Sequence, residues 1–169
     1  MSPKKQTSTK KSRSKTYVGI DPGKSGAIAS FSIRGLDGYG EMRVWKCPDT
    51  ADGMHSAFCQ ATWGILEDEI VVLMEKVWAR PNNASRAAFN YGVNYGQWLG
   101  IVACYSIKTE LIIPSNWMKF YGMKKGMEYQ ERKRWLKAKA QELYPKLKVT
   151  LVNADAILIA HYLKERDVH

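Results

Sequence analysis

The alternation of apolar and polar positions divides this chain into short strands first and helices later. Tyr17-Val18-Gly19-Ile20 is a short apolar run of β-forming character that delivers one carboxylate, Asp21, at its end, after which the chain turns through Pro22, Gly23 and Gly26. Ala27 to Ile33 alternates loosely, a glycine-rich turn follows over residues 34–40, and Glu41 to Lys46 completes a three-stranded antiparallel meander. From Ala51 to Glu69 the residues Met54, Ala57, Phe58, Ala61, Ile65 and Leu66 fall at helical spacing and predict a crossover helix. Ile70 to Met74 is continuously apolar, as expected of a strand covered on both faces, and it ends at a second carboxylate, Glu75.

The second half is mostly helical in pattern. Between Ala84 and Ser106 the small residues Ala84, Ala88, Gly92, Gly96, Gly100 and Cys104 recur every four positions and form a smooth ridge on one helix face. Glycine costs about 1 kcal/mol in a helix interior, so three of them need a packing reason: either the protein's own sheet or a helix-on-helix homodimer seam. Glu110 to Ile113 predicts another strand, Pro114 opens a short helical turn, and Lys119 to Gly126 is basic and punctuated by glycine. Glu128 to Tyr144 is an amphipathic helix carrying Arg132, Lys133 and Arg134, and Pro145 ends it. The last helix begins near Asn153 and places Asp155 in its first turn, where the helix dipole favours an acid.

Charge narrows the choice of partner. The chain carries 26 basic against 16 acidic residues, and a net charge of +10 favours nucleic acid. Residues 1–16 supply six of the basic residues and no acid, so they read as a disordered basic arm ahead of one domain spanning residues 17–169; that domain keeps 20 basic against 16 acidic residues. No run approaches the roughly 18 apolar residues of a membrane span, so a soluble protein with no membrane partner is expected. Cys47, Cys59 and Cys104 have no paired metal-ligand spacing, which points to neither a zinc site nor a disulfide framework and suits a reducing compartment.

The order β-β-β-α-β-α-β-α-α thus carries carboxylates at the end of the first strand, the end of the fourth strand and the start of the last helix. Brought together, such a trio would bind Mg²⁺ or Mn²⁺ through oxygen. At this point the chain resembles the RuvC-like Holliday junction resolvases of the RNase H-like superfamily, in particular the phage and organelle branch. The resemblance rests on Gly19-Ile20-Asp21-Pro22-Gly23, on Glu75-Lys76-Val77-Trp78, on the helix from Phe89 to Gly100, and on Ala154 to Ala160. It implies an α/β fold with a mixed five-stranded sheet, three antiparallel strands and then parallel ones, flanked by helices. It further implies a magnesium-dependent crossover junction endodeoxyribonuclease that nicks four-way or branched DNA in pairs, with two ions per active site. Asp21, Glu75 and Asp155 match the family's catalytic metal-binding acids. Trp78 falls where an aromatic ring stacks on bases, Arg80 in the same loop is assigned to DNA contact, and Lys119, Arg132 and Lys133 are basic candidates for the phosphate. The glycine-rich helix, with Ala88, Gly92, Gly96 and Gly100, corresponds to the family's dimer seam.

One departure matters. The family pattern supplies a fourth group, Asp or His, three or four residues before the last acid, and here those positions are Val152 and Leu151. Asn153 and His161 are the nearest polar candidates. A catalytically weak junction-binding module is therefore the alternative reading. Cleavage of RNA–DNA hybrid or flap DNA by the same fold is another. An actin-like or sugar-kinase ATPase would need two such domains and about twice this length. The expected setting is cytoplasmic, nucleoid-associated or in a virus-infected host cell, with organelle and nucleus open.

Overall fold

A computed structural model of the chain describes residues 14–34, 39–78 and 85–168. The basic arm up to residue 13, most of the glycine-rich turn, Arg80 and Ala84 lie outside the described residues. Five strands form one sheet: β1 (Lys15–Asp21), β2 (Ala27–Arg34), β3 (Tyr39–Lys46), β4 (Ile70–Glu75) and β5 (Lys108–Ile112). Their spatial order is β3-β2-β1-β4-β5. β1 to β3 are antiparallel neighbours, whereas β4 runs parallel to β1 and β5 parallel to β4. This is the mixed sheet that the family resemblance implies, and its antiparallel half is the meander that the sequence pattern predicts. β1 starts two residues earlier than expected, because Thr16 is buried and its hydroxyl donates to Ser32 Oγ at 2.9 Å, while the Lys15 ammonium pairs with Asp167. Lys15 and Thr16 thus belong to the sheet.

Helices cover both faces. On one side α1 (Ala51–Ala61) and α2 (Ser85–Cys104) pack through Met54, Phe58, Trp98 and Val102 onto Val18, Ile20, Val72 and Met74. On the other side α3 (Pro114–Phe120), α4 (Tyr129–Leu143) and α5 (Ala154–Val168) enclose Tyr17, Leu73, Trp117, Leu136 and Ile157. α1 stops eight residues short of the predicted end at Glu69. Thr62 turns back so that its Oγ1 donates to Phe58 O at 2.9 Å, and Gly64 adopts a left-handed φ of 75° that a side chain resists. Leu66 is consequently exposed rather than in the core.

Strand alternation decides where the acids point. Successive residues of β1 face opposite layers, so Asp21 follows Tyr17 and Gly19 onto the α5 side. Glu75 follows Val71 and Leu73 onto that same side. Ile20 is paired with Met74 in register, which places Asp21 and Glu75 next to each other at the carboxyl ends of the two central parallel strands. α5 closes over them only because residue 19 is glycine. A Cβ there would lie 2.4 Å from the Ala160 backbone nitrogen and 2.5 Å from the Ala156 carbonyl oxygen, so any side chain would push the helix off the strand.

Candidate functional site

The turn after Asp21 is held on both sides. Gly23 adopts a φ of 116° and donates its N–H to Asn94 Oδ1 at 2.7 Å, while the Asn94 amide donates to Cys47 Sγ at 3.3 Å. A Cβ on Gly23 would come 2.7 Å from the Tyr91 ring, and one on Gly26 would come 2.0 Å from the Asp21 carbonyl oxygen. These glycines serve α2 and the turn itself, a packing role that the sequence pattern does not distinguish from room for a ligand. The turn borders a cleft of about 1040 Å³, whose other walls include Asn94, Lys133 and Val152.

Asp21 and Asp155 are both buried, and Glu75 is partly buried. Burial raises the Asp21 carboxyl well above its ordinary range, and repulsion from Asp155 and Glu75 raises it further, with Lys133 opposing. Glu75 is pushed up to about 7, by burial first; a hydrogen bond from Trp117 opposes this, Asp155 adds to it, and Lys133 and Arg132 pull it back. The three acids therefore sense one another electrostatically, as their places on the strands and helix require. Lys133 Nζ donates to Asp155 Oδ2 at 2.7 Å, with both side chains largely covered. Burial disfavours its ammonium, yet Asp155 and Asp21 outweigh that and hold its pKa above the ordinary value. Asp155 Oδ1 is buried and has no hydrogen-bond partner among the described residues.

The acids converge without closing into a ligand set: among the described residues, no three His, Cys, Asp or Glu side chains are gathered tightly enough to hold an ion. Their chemistry nonetheless suits a hard divalent cation. Three carboxyls face the paired Lys133, with Arg132 acting on Glu75, and among the described residues the buried Asp155 Oδ1 has no donor to satisfy it. Neither polar candidate near the missing fourth group is available. Asn153 Oδ1 accepts from Thr150 N at 2.7 Å and its amide donates to Lys148 O, which ties the tight turn before α5. His161 Nδ1 is bonded to Tyr144 OH at 2.7 Å, within a separate aromatic group with Tyr121.

The basic and aromatic candidates part company. Trp78 is 52% exposed just past β4 and is no core residue. Lys119 is exposed in the last turn of α3. Arg132 is half-buried, stacked on the Tyr129 ring at 5.3 Å, so it and Lys133 do not form the solvated helix face that a charge run suggests. On α2, no described residue lies within 4 Å of where a Cβ of Gly92, Gly96 or Gly100 would stand, and the described sheet is not packed against that ridge. Sequence reasoning gives no role to Trp117, which occupies an ordinary helical position, nor to Tyr91 and Asn94, which lie within the Phe89 to Gly100 stretch but read there only as part of its small-residue helix.

No family model and no curated protein sequence matches the chain. Among solved structures, it is similar to Thermus thermophilus RuvC in complex with a Holliday junction substrate, at 13% identity and a TM-score of 0.54, covering 90% of this chain and 96% of that one. It is likewise similar to Thermus thermophilus RuvC alone, at 15% identity and a TM-score of 0.51 over the same shares. The class is thus the RNase H-like mixed α/β fold. Within that class the chain has the RuvC-like form of the fold, as the sequence resemblance implied.

Proposed function

We propose that this chain is a divalent-cation-dependent endonuclease that cuts branched DNA, four-way junctions foremost, by paired nicks. The observation that carries this reading is the convergence of Asp21, Glu75 and Asp155 on one face at one end of the sheet, with mutual repulsion offset by the paired Lys133 and, at Glu75, by Arg132. The three acids would hold Mg²⁺ or Mn²⁺. A pair of such ions supplies activation of a water and stabilisation of the departing oxygen of a phosphodiester. Lys133 moderates the negative charge, and Arg132, half-buried beside it, holds positive charge close to Glu75. Trp78 and Lys119, both exposed, are assigned to a base face and to phosphate. The similarity of fold to a RuvC structure that contains a Holliday junction substrate supports the choice of a junction over a linear duplex.

The exposed ridge of α2 supports a homodimer: among the described residues nothing approaches where a Cβ of its three interior glycines would stand, and Phe89 and Val93 nearby are exposed apolar residues, so a second copy is the proposed cover. The competing reading, junction binding without cleavage, draws on Val152, an apolar residue on the wall of the cleft that also holds Asp21 and Lys133.

The test is gel-shift and cleavage of a labelled synthetic four-way junction, a linear duplex and an RNA–DNA hybrid, in Mg²⁺ and in EDTA, for this chain and for Asp21→Asn. Paired Mg²⁺-dependent nicks in the junction alone, lost in the variant, are the expected result. A junction-selective shift without nicks would establish the binding module, and no selectivity would overturn both readings.

A further inference from the structure

Trp117 is a large, wholly buried side chain whose one polar atom is spent on a candidate catalytic acid: its indole N–H donates to Glu75 Oε2 at 3.0 Å. The chain places it there through the sheet edge. Glu75 is paired with Ile112 of β5, Lys76 N donates to Ile112 O at 2.7 Å, and two residues later Pro114 starts α3. The inner side of that short helix carries Trp117 and Met118, and its outer side carries the exposed Lys119. A partly buried glutamate has three side-chain torsions to fix, and packing with its own strand neighbours does not set the last one. A donor on a rigid, buried indole does.

We infer that Trp117 is a positioning residue for Glu75, holding one carboxylate oxygen so that the other stays turned toward the cation site. This rests on the reading of Glu75 as a metal ligand. Hydrogen bonds to a ligating carboxylate from outside the ligand set typically matter by 10- to 100-fold in metal affinity or activity. α3 would then set the carboxylate from one side while offering Lys119 to DNA from the other.

The experiment compares the full chain with Trp117→Phe, which keeps an aromatic ring in the core and removes the donor together with part of the ring volume. Two readouts are taken: the shift in thermal midpoint produced by Mn²⁺ titration, which needs no substrate, and the Mg²⁺ dependence of junction nicking. The expected result is a 10- to 100-fold higher Mn²⁺ concentration for the same shift, a matching rise in the Mg²⁺ requirement, and unchanged junction binding in EDTA. In the background of Glu75→Gln, the same Trp117→Phe change should leave the Mn²⁺ response where Glu75→Gln alone puts it. A Trp117→Phe protein that loses stability and junction binding but keeps the parental Mn²⁺ response would overturn the inference and make Trp117 a core residue only. Absence of nicking by the parent chain would count against the proposed activity, while the Mn²⁺ titration would still decide the role of Trp117.

Discussion

At the scale of single residues, the site is a balance between three buried or partly buried carboxyls and one lysine, and its parts respond to mutation with opposite signs. Asp21→Asn removes the acid most burdened by burial and repulsion. It should raise the thermal midpoint of the cation-free protein while lowering nicking by more than the ~10² that changes outside a ligand set cost. Lys133→Met strands the covered Asp155 carboxylate, and breaking such a pair costs on the order of 3 kcal/mol. The same thermal measurement should therefore show a fall. Proton linkage gives a further check. Glu75 sits at about 7 in the folded protein against an ordinary 4.5. Below about 4.5 it is protonated in both states and costs nothing; between about 4.5 and 7 the unfolded chain gives up a proton that the folded protein keeps, so stability falls, and above about 7 both states are ionised and the penalty is constant. The cation-free midpoint should decline between about pH 4.5 and pH 7 and level off above that, and saturating Mn²⁺ should flatten the decline, because bound cation favours the ionised form.

At the scale of elements, α5 and β1 are fitted to each other through Gly19, and α2 grips the turn after Asp21 through Asn94 and Tyr91. In Gly19→Ala the added Cβ meets backbone, not a side-chain end, so the cost should fall at or above the upper part of the ~1–3 kcal/mol usual for overpacking. Denaturant unfolding measures the loss, and cation response should drop with it because Asp155 moves with the helix. Gly96 presents the reverse case. Its neighbourhood in this chain is open, so Gly96→Leu should leave the fold intact, and sedimentation should show a monomer where the parent chain is a dimer. A parent chain that sediments as a monomer would remove the proposed seam.

At the scale of the whole molecule, a chain with a net charge of +10 should bind DNA largely through phosphates, with affinity falling steeply as salt rises. In the proposed function, selectivity for a junction would come from the two-fold arrangement of sites and not from phosphate contacts. The cleft wall carries the remaining whole-site prediction: Val152→Asp should add a fourth acid beside Asp21 and Lys133, raise Mn²⁺-linked stabilisation, and increase nicking if the missing group limits the rate. Among the described residues no helix is long and apolar enough to cross a membrane, in keeping with the hydropathy pattern.

The succession of strands, the antiparallel meander and the three acids at element ends were legible in the sequence because they follow from local rules: period-two burial, continuous apolar runs in central strands, and turns at Pro and Gly; the parallel strands came from the family resemblance, and the spatial strand order only from the structure. The end of α1 was not, since Ile65 and Leu66 continue a helical pattern that Thr62 and Gly64 interrupt. The partners of the acids were also beyond local reading. Lys133 and Trp117 lie 22 residues before Asp155 and 42 after Glu75 respectively, in helices whose spacing marks them as a charged face and a core position. Sequence by itself determined which residues could be buried and which acids end the strands. Only the tertiary structure decided which neighbours those acids meet, because desolvation and charge repulsion depend on distances set by α3, α4 and α5 closing over the sheet.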